Sequence, residues 1–323
     1  SEALGFDPNA LMERYKHERD RRIREDAELQ FVEVKTDSEF AEKHLINDPY
    51  AEPVERDPIN DTNEVVIIGG GWGGMMTAAR LNQAGVHDVR IIESGADFGG
   101  TWYWNRYPGA QCDIESYSYL PLLEETGYMP KLRFSFAPEI FEHAQRIGNH
   151  FELYKNAVFQ TWVTELRWSE EESMWIVSTN RNDNIKAHYV CMGTGPANRP
   201  RLPGIEGVEK FKGHSFHTCR WDYRYTGGGP DGNLENLGDK KVAIVGTGAT
   251  AVQCVPALGE SSRHLYVIQR TPSSVDYRNN TETDPEWAAG LKPGWQAERQ
   301  KRFGKAILGL ATYPEFKDDG WTR

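Results

Sequence analysis

Three features are missing from this sequence, and each absence narrows what the protein can be. No run of about 18 apolar residues occurs, so no segment is predicted to cross a membrane. A basic surplus is missing too, because the net charge is -11, and nucleic acid is therefore not expected as a partner. The N-terminal residues 1–26 are charged throughout and lack the apolar core of a secretory signal.

Cysteine is scarce, and its spacing argues against two kinds of site. The chain has four cysteines, and no two of them form a C-x-x-C pair. A thiol redox pair and a structural zinc site both need closely spaced cysteines, so neither is predicted and no metal is expected. The cysteine pattern and the missing secretory signal together predict a protein of the reducing cytoplasm.

The first 62 residues are polar and rich in charge. A weak apolar stripe predicts a helix from Leu11 to Glu33, and three prolines between residues 49 and 58 then interrupt regular structure. We interpret residues 1–62 as a helical extension that lies on the main body, followed by a linker. A disordered tail is the alternative interpretation.

The pattern changes at Val65, where a strand, a glycine cluster and a helix follow one another. The apolar run Val65–Ile68 is typical of a strand buried on both faces. A helix over Met75–Gln83 follows, with Gly85 marking its end, and Val89–Ile92 is the next apolar strand. This order predicts a βαβ unit.

The same order recurs later in the chain. The stretch KVAIVGTGATAVQ, which begins at Lys241, predicts a strand, a glycine turn and a helix, and Leu265–Ile268 is the next strand. Between the two units, Val158–Trp168, Met174–Thr179 and Ile185–Met192 predict an antiparallel β excursion whose last strand returns to the first sheet. The fold class is therefore α/β, with two Rossmann-like dinucleotide-binding domains.

The first glycine cluster has the G-x-G-x-x-G spacing of a dinucleotide-binding turn. Gly69 permits a tight turn, Gly71 lets a pyrophosphate approach the backbone, and Gly74 lets the helix pack closely on the strand. The phosphates would lie at the N-terminus of the helix. Glu93 ends the next strand, where a carboxylate accepts hydrogen bonds from a ribose diol. A glycine-rich turn that binds nothing is the alternative.

The second glycine cluster has the same spacing, with an alanine in the third place. It comprises Gly246, Thr247, Gly248, Ala249, Thr250 and Ala251. Arg270 occupies the position that Glu93 has in the first unit. A guanidinium matches the geometry of a phosphate, so this site is predicted to prefer NADP over NAD, with Thr271 as a helper. An ordinary surface arginine is the alternative.

Two sites with opposite charges predict two different dinucleotides. A carboxylate suits an unphosphorylated ribose, whereas a guanidinium suits a 2′-phosphate. The simplest pair is FAD in the first site and NADPH in the second, because a flavin needs an electron donor. The residues thus predict a flavoprotein oxidoreductase, and the lack of a redox cysteine pair argues against a disulfide reductase.

Three further stretches carry a resemblance to a known family. They are GGTWYWNRYPGAQCD (Gly99–Asp113), FKGHSFHTCRWD (Phe211–Asp222) and QRTP (269–272). Their content and order resemble those of the Baeyer–Villiger monooxygenases, which are class B flavoprotein monooxygenases. Asp222 stands where many of these relatives have proline. The N-terminal extension is similar to that of the larger members, which act on large-ring or aryl ketones.

The resemblance implies an activity. In the family, NADPH reduces FAD, dioxygen adds to the reduced flavin, and the resulting flavin peroxide converts a ketone to a lactone or an ester. For this chain, the resemblance implies an NADPH-dependent flavin monooxygenase whose substrate is a small-molecule ketone, cyclic or aryl. Two alternatives stay open: a flavin monooxygenase of the same superfamily that oxygenates nitrogen or sulfur, and a non-catalytic dinucleotide-binding or redox-sensing module.

The resemblance also implies roles for individual residues. Asp113 orients an active-site arginine, and His217 and Trp221 belong to a hinge between the dinucleotide domains. The FAD contacts implied beyond the first glycine cluster and Glu93 are Thr101, Trp102, Tyr103, Trp104, Asp113, Tyr119 and Val163. The NADP contacts implied beyond the second cluster and its arginine are Gln111, Cys112, Val252 and Gln253. Core packing is the alternative role of the tryptophans, and a cap on a helix over Ile114–Tyr119 is the alternative role of Asp113.

The resemblance divides the chain into four parts. Residues 1–62 are the extension and linker, 63–198 the first part of an FAD-binding domain, 199–272 the first part of an NADP-binding domain, and 273–323 the beginning of a helical insertion. Arg299–Leu310 predicts one helix of that insertion. In the family the pattern continues beyond residue 323, where the active-site arginine lies. We therefore expect that the remaining C-terminal part is needed for turnover.

Overall fold

The structure is a computed structural model that describes residues 5–26, 31–33, 47–196, 200–270, 273, 275, 277–316 and 319–322. Its contacts group the chain into two compact units. Unit 1 comprises Ser1–Asn47, Arg199–Thr218 and Asp222–Tyr277, and unit 2 comprises Asp48–Asn198, Cys219–Trp221 and Arg278–Arg323. The extension predicted over residues 1–62 therefore contributes to both units.

Strands and α-helices are numbered in chain order. The strands are β1 (Phe31–Glu33), β2 (Asn60–Ile68), β3 (Val89–Ile92), β4 (Ala157–Val158), β5 (Val163–Ser169), β6 (Met174–Thr179), β7 (Asn184–Met192), β8 (Arg201–Pro203), β9 (Lys241–Val245) and β10 (His264–Ile268). The helices are α1 (Pro8–Asp20), α2 (Trp72–Gln83), α3 (Thr101–Trp104), α4 (Ser116–Tyr119), α5 (Leu123–Thr126), α6 (Ala137–His150), α7 (Tyr223–Thr226), α8 (Ala249–Ser261), α9 (Pro285–Ala289) and α10 (Trp295–Ile307). Within the described ranges, no helix combines the length and the apolar character needed to cross a bilayer.

Unit 2 contains a six-stranded sheet with the strand order β4-β3-β2-β7-β6-β5. β4, β3, β2 and β7 run parallel, whereas β6 and β5 are each antiparallel to their neighbour. The βαβ unit formed by β2, α2 and β3 is thus present, and β7 returns to the sheet on the other side of β2. The predicted antiparallel excursion is confirmed.

The strand β2 lies between two parallel neighbours and is buried on both faces, as its apolar run predicts. Val65 and Ile67 pack against Met75 and other residues of α2 on one face. Val66 and Ile68 pack against residues of β6 and β7 on the other face. Because alternate residues of a strand point to opposite faces, one unbroken apolar run supplies both cores.

The single strand predicted over Val158–Trp168 is wrong, because two strands share this segment. β4 pairs with β3, whereas β5 pairs with β6 at the opposite edge of the sheet. Gln160 lies between them with a φ of 50°, in the left-handed region that ends an extended run. An apolar pattern cannot show which neighbour each half of the segment joins.

The last part of the predicted linker is held firmly in unit 2. The guanidinium of Arg56 donates hydrogen bonds to both carboxylate oxygens of Asp183, each at 2.6 Å, and the Asp183 side chain is fully buried. Burial alone would raise the pKa of Asp183, but hydrogen bonds from Arg56, the Ile59 N–H and Thr179 outweigh it and lower the pKa to about 2. This segment is therefore a built part of the unit.

Unit 1 contains two small sheets. β9 and β10 pair in parallel with α8 between them in the chain, so the second βαβ unit is present. The helix predicted over Leu11–Glu33 is wrong at its C-terminal end, because α1 ends at Asp20 and β1 pairs antiparallel with β8. None of the residues of α1 is buried, so its weak apolar stripe gains no packing that would extend it, whereas Phe31 and Val32 are good strand formers.

The helix predicted over Arg299–Leu310 lies slightly earlier in the chain, as α10. The Glu124 carboxylate accepts hydrogen bonds from the N–H groups of Gly294 and Trp295, at 2.8 and 3.2 Å, and so caps the beginning of the helix. Gly309 follows the helix with a φ of 68°, which is typical of a residue that ends one. A cap that comes from a distant segment leaves no local signal.

Candidate dinucleotide sites

The first glycine turn is enclosed by other backbone segments, which explains two of its glycines. Gly69 has a φ of 107°, and a Cβ there would stand 2.5 Å from the carbonyl oxygen of Gly193. A Cβ on Gly74 would stand 1.8 Å from the carbonyl oxygen of Gly69. Only glycine fits either position, because the opposing atoms are backbone. Gly193, which follows β7, was not predicted as part of this turn.

Gly71 differs from these two glycines because a Cβ there would make only ordinary van der Waals contact, with Gly100. A Cβ there would meet no atom closer than 3.5 Å. Gly71 is also the N-cap residue of α2, and no side chain caps this helix end. The N-terminus of a helix carries a partial positive charge and N–H groups without intrahelical partners, so this uncapped helix end suits a pyrophosphate.

Glu93 has a second role that the sequence did not indicate. Its side chain is nearly buried, and its carboxylate accepts hydrogen bonds from the N–H groups of Gly70 and Gly95, at 2.5 and 2.6 Å. The Ser94 hydroxyl donates a third, at 3.1 Å. An ionised carboxylate has about four acceptor positions, so it fixes the glycine turn to the end of β3 and keeps capacity for a ribose hydroxyl.

The aromatic stretch lies directly against the glycine turn. Gly99 and Gly100 have φ values of 126° and 53°, and a Cβ on Gly100 would stand 2.8 Å from the Cα of Gly71. The helical turn α3 follows at once. Trp102 is 8% exposed, and its indole N–H donates to the Tyr119 hydroxyl at 2.8 Å. The sequence order therefore brings a rigid aromatic pair beside the turn.

The remaining predicted FAD residues differ in exposure. Tyr103 is 2% exposed and donates its hydroxyl hydrogen bond to Asp48, and burial raises its pKa. Thr101 is exposed, and Trp104 is partly buried. Val163 is partly buried at the beginning of β5. Tyr103 is thus a core residue of unit 2, whereas Thr101 is open to solvent.

Asp113 is exposed, and its backbone is fixed on one side by Arg278. The guanidinium of Arg278 donates a hydrogen bond to the carbonyl oxygen of Asp113 and lies 4.6 Å from the centre of the Phe134 ring. Asp113 does not cap a helix, since α4 begins at Ser116 with Glu115 before it. The carboxylate of Asp113 is therefore available on a fixed backbone, and Arg278 is a neighbour that sequence reasoning missed.

The segment on either side of Asp113 is held by an extended backbone strip. Gln111 pairs with Phe136 in an isolated antiparallel bridge, and the Cys112 N–H donates to the Ser135 carbonyl at 3.1 Å. The side chain of Gln111 donates to the Phe134 carbonyl at 2.9 Å. Cys112 is nearly buried, and burial raises the pKa of its thiol to about 12. Both of these predicted NADP residues thus lie in unit 2.

A buried histidine lies close to the helix that follows the first glycine turn. His143 is fully buried, 6.1 Å from the Trp72 ring, and its Nε2 lies 2.7 Å from the Pro121 carbonyl oxygen. The Tyr128 ring stacks on it, and the Arg146 guanidinium lies 3.3 Å from its Nδ1. Burial lowers the pKa of His143 to about 4, so the imidazole is neutral near pH 7.

The second glycine turn has the same backbone shape with fewer neighbours. Gly246 has a φ of 105°, but neither Gly246 nor Gly248 would bring a Cβ within 4 Å of another described group. Gly248 is the N-cap residue of α8, and no side chain caps this helix end either. Ala251 is 6% exposed and packs in the small core of unit 1. The turn and the helix N-terminus again fit an anion.

Arg270 lies beyond the carboxyl end of β10, at the edge of the sheet where the glycine turn begins. The Gly246 N–H donates to the Ile268 carbonyl oxygen at 2.9 Å, which joins the turn to that strand end. Gln269 donates a hydrogen bond to the Thr247 hydroxyl at 3.4 Å, and Arg270 is exposed. Thr271 lies outside the described residues. The other predicted NADP residues on α8, Ala249, Thr250, Val252 and Gln253, occupy its first turns.

The two predicted hinge residues fall in different units. Trp221 is 2% exposed, and the tripeptide Cys219–Trp221 belongs to unit 2, whereas His217 belongs to unit 1. The Trp221 N–H donates to the Tyr50 hydroxyl at 3.0 Å, and the Arg220 guanidinium lies 3.5 Å from the centre of the Trp104 ring. Over the described part of the chain, no three acidic, cysteine or histidine side chains are grouped as metal ligands would be.

Known proteins resemble this chain over nearly all of its length. Residues 63–288 match the pyridine nucleotide-disulphide oxidoreductase family. The chain is 53% identical over 323 residues to a Baeyer–Villiger monooxygenase of Stachybotrys chlorohalonatus, which covers 100% of this chain and 51% of that protein. It is 51% identical over 317 residues to neopentalenolactone D synthase of Streptomyces avermitilis, covering 98% of this chain and 53% of that protein.

Solved structures agree with these relatives. A polycyclic ketone monooxygenase of Thermothelomyces thermophila has a TM-score of 0.87 at 39% identity, covering 97% of this chain and 53% of that chain. A complex of OTEMO with FAD and NADP has a TM-score of 0.63 at 33% identity, covering 76% of this chain and 44% of that chain. The chain spans about half the length of the curated relatives it matches. It belongs to the pyridine nucleotide-disulphide oxidoreductase family, and over nearly all of its length it is similar to Baeyer–Villiger and ketone monooxygenases.

Proposed function

We propose that the protein carrying this chain is an FAD- and NADPH-dependent Baeyer–Villiger monooxygenase, which converts ketones to lactones or esters with dioxygen. One observation carries the proposal. Two glycine turns of the same shape have partners of opposite charge, and the aromatic stretch packs on the turn that has the carboxylate. A flavin and its nicotinamide donor need such a pair of sites.

The residues of unit 2 fit FAD. The backbone at Gly71 and the N-terminus of α2 would hold the pyrophosphate, and Glu93 would accept hydrogen bonds from the ribose. The partners that we propose around the rest of the cofactor are Thr101, Trp102, Tyr103, Trp104, Asp113, Tyr119 and Val163. When bound, FAD takes electrons from NADPH and passes them to dioxygen.

The residues of unit 1 fit NADPH. The turn from Gly246 to Ala251 and the N-terminus of α8 would hold its pyrophosphate, and Arg270 would pair with the 2′-phosphate. Thr271 is proposed as a second partner of that phosphate. We expect NADPH to be preferred over NADH for this reason. Gln111 and Cys112, which belong to unit 2, stay NADP contacts predicted from the resemblance.

The chain's own side chains would prepare the site for the reaction. Trp102 is buried and Tyr119 is partly buried, and together they would form a stiff aromatic surface that excludes water. Asp113, on its fixed backbone, is proposed to orient an active-site arginine that relatives carry beyond the span of this chain. His217 and Trp221 are proposed to act in a hinge rather than as an acid or a base.

The substrate class is proposed from the same resemblance. One similar structure is named a polycyclic ketone monooxygenase, and it covers nearly all of this chain. We therefore expect a cyclic ketone, with polycyclic ketones tested first and aryl ketones second. The cysteine pattern leaves the cytoplasm as the expected location.

The protein at its full natural length tests the proposal. It is expected to purify with a yellow flavin that NADPH bleaches without air and that air restores, and to convert a polycyclic ketone to a lactone. A thioether offered in parallel distinguishes this enzyme from a flavin monooxygenase that oxygenates nitrogen or sulfur. Formation of sulfoxide without lactone would support that alternative. A protein that retains no flavin would point to a non-catalytic module.

A further inference from the structure

Gly99–Asp113 is called the first signature here and Phe211–Asp222 the second. We propose that Tyr50 is a positioning residue that ties the second signature to the first, and that it controls how fast NADPH reduces the flavin. The inference rests on the proposed function. Tyr50 lies in the polar N-terminal extension, outside both glycine turns and both signatures. Nothing in the local sequence gives it a role.

The hydroxyl group of Tyr50 connects the two signatures. It accepts a hydrogen bond from the N–H of Trp221 at 3.0 Å and donates one to the carbonyl oxygen of Trp104 at 3.3 Å. Trp221 belongs to the second signature, and Trp104 ends the helical turn α3 of the first. The tyrosine therefore bridges one backbone group of each signature.

The surroundings keep this hydroxyl in place and protonated. The Tyr50 ring meets the Tyr103 ring edge to face at 6.2 Å, and the guanidinium of Arg106 lies 4.4 Å from its centre. Burial raises the pKa of Tyr50, so the group keeps its proton and can donate at physiological pH. The geometry is thus that of a fixed donor and acceptor.

A second contact joins the same two stretches. The Arg220 guanidinium stacks 3.5 Å from the centre of the Trp104 ring and donates to the Cys219 carbonyl oxygen at 2.9 Å. A guanidinium on an indole face is a favourable contact. The tripeptide Cys219–Trp221 is therefore anchored twice on α3, by a hydroxyl and by a stacked cation.

The position of this tripeptide in the chain makes the anchor functional. Residues on both sides of it, up to Thr218 and from Asp222, belong to unit 1, which carries the proposed NADPH site. The tripeptide itself belongs to unit 2, which carries the proposed FAD site. Because the residues that flank this tripeptide belong to the unit with the proposed NADPH site, we expect the anchor to act on flavin reduction rather than on FAD binding.

The variant Tyr50→Phe in the full-length protein tests the inference, because it keeps the ring and removes the bridging hydroxyl. Flavin reduction by NADPH, followed without air, is expected to slow by about tenfold, since two hydrogen bonds are lost. FAD content, the flavin absorption spectrum and the melting temperature are expected to match those of the control. That control is Tyr154→Phe, which also loses a partly buried hydroxyl hydrogen bond, of 2.7 Å to Asp97.

Arg220→Gln supplies a second variant, in which the Tyr50 bridge is intact and the stacked cation is lost. Its reduction rate is expected to fall less than that of Tyr50→Phe. Wild-type reduction kinetics in Tyr50→Phe would overturn the inference and leave the proposed function standing. An equal slowing in Tyr154→Phe would also overturn it, because the effect would then be general loosening. Wild-type protein without flavin would overturn the proposed function and the inference together.

Discussion

The two glycine turns of this chain share a backbone shape but not an environment. In each turn, the first glycine has a φ near 105°. Its N–H donates a hydrogen bond to the last carbonyl of the neighbouring strand, from Gly69 to Ile92 at 2.8 Å and from Gly246 to Ile268 at 2.9 Å. Gly69 is backed by the carbonyl of Gly193, whereas Gly246 has no described group within 4 Å of a Cβ position. The motif therefore specifies the turn, and the strands around it decide how tightly the turn is enclosed.

The strands that precede the turns show the same difference. Val66 and Ile67 on β2 are 0% exposed, whereas Val245 on β9 is 57% exposed and Ile268 on β10 is 52% exposed. β2 has a parallel partner on each side, while within the described residues β9 pairs with β10 alone. In both units an apolar run predicted a strand, but how deeply the strand is buried depends on the neighbouring strands, which the run itself does not specify.

The largest expected effect is a loss of stability at the third glycine position of the first turn, compared with the same position of the second turn. Gly74→Ala is expected to lower the free energy of unfolding of unit 2 by about 3 kcal/mol or more, because the methyl group would overlap a backbone oxygen that cannot move aside. Ala251→Gly is expected to cost only about 1 kcal/mol, as helix propensity predicts. Urea unfolding of both variants measures the contrast. Equal losses would show that the two turns are enclosed alike.

The next effect concerns the stability of unit 2 in acid, which should depend on the buried imidazole of His143. The folded pKa of His143 is about 4, below the unfolded value of about 6.5, so only the unfolded state takes up the proton between these values. The free energy of unfolding should therefore fall by about 3 kcal/mol as the pH drops from 6.5 to 4. In His143→Gln this part of the pH dependence should disappear.

The exposed His150, at the end of the same helix, supplies the control for that measurement. His150→Gln should keep the pH dependence of the wild-type protein, and denaturant unfolding between pH 4 and 7 tests both variants. A His143→Gln protein with an unchanged slope would assign the acid sensitivity to other groups.

A smaller effect is expected at the acidic partner of the first turn. Glu93→Ala removes the acceptor of the Gly70 and Gly95 N–H groups as well as the proposed ribose contact. FAD is expected to bind about a hundredfold more weakly, since buried donors are left unpaired. Equilibrium titration of the apoprotein with FAD gives the value, with the exposed Glu170→Ala as the control. Unchanged affinity would limit Glu93 to holding the turn.

The smallest effect is expected at the basic partner of the second turn. Arg270→Ala should raise the KM for NADPH and reduce the preference over NADH by about one to two powers of ten, because one charge-assisted phosphate contact is lost. Arg263→Ala is the matched control, an exposed arginine just before the other end of β10. A preference that stays the same in Arg270→Ala would show that another group reads the 2′-phosphate.

The fold was largely predictable because its signals are local. The two strand–turn–helix units and the antiparallel excursion were predicted from apolar runs and glycines, and they are present. The errors lie where distant partners decide the outcome. Phe31–Glu33 is a strand because β8 pairs with it, and the apolar segment before Trp168 splits because its halves join opposite edges of the sheet.

The candidate site divides in the same way. The glycines, Glu93 and Arg270 were predicted as site residues from spacing, since each stands at a fixed offset from a turn. Arg278 and Tyr50 could not be found, because each contacts its partner from a segment far away in the chain. Their residue types are also common on protein surfaces, so no local pattern distinguishes them.

The sequence by itself determined the type and order of the elements, the two turns and the charge of their partners. These follow from backbone sterics and hydrogen bonding within a few neighbouring residues, which a short stretch of sequence contains. Only the tertiary structure decided that Gly193 closes the first turn, that Glu93 is held by two backbone N–H groups, and that Tyr50 bridges the signatures. Such contacts depend on how separate segments pack, and packing is a property of the whole unit.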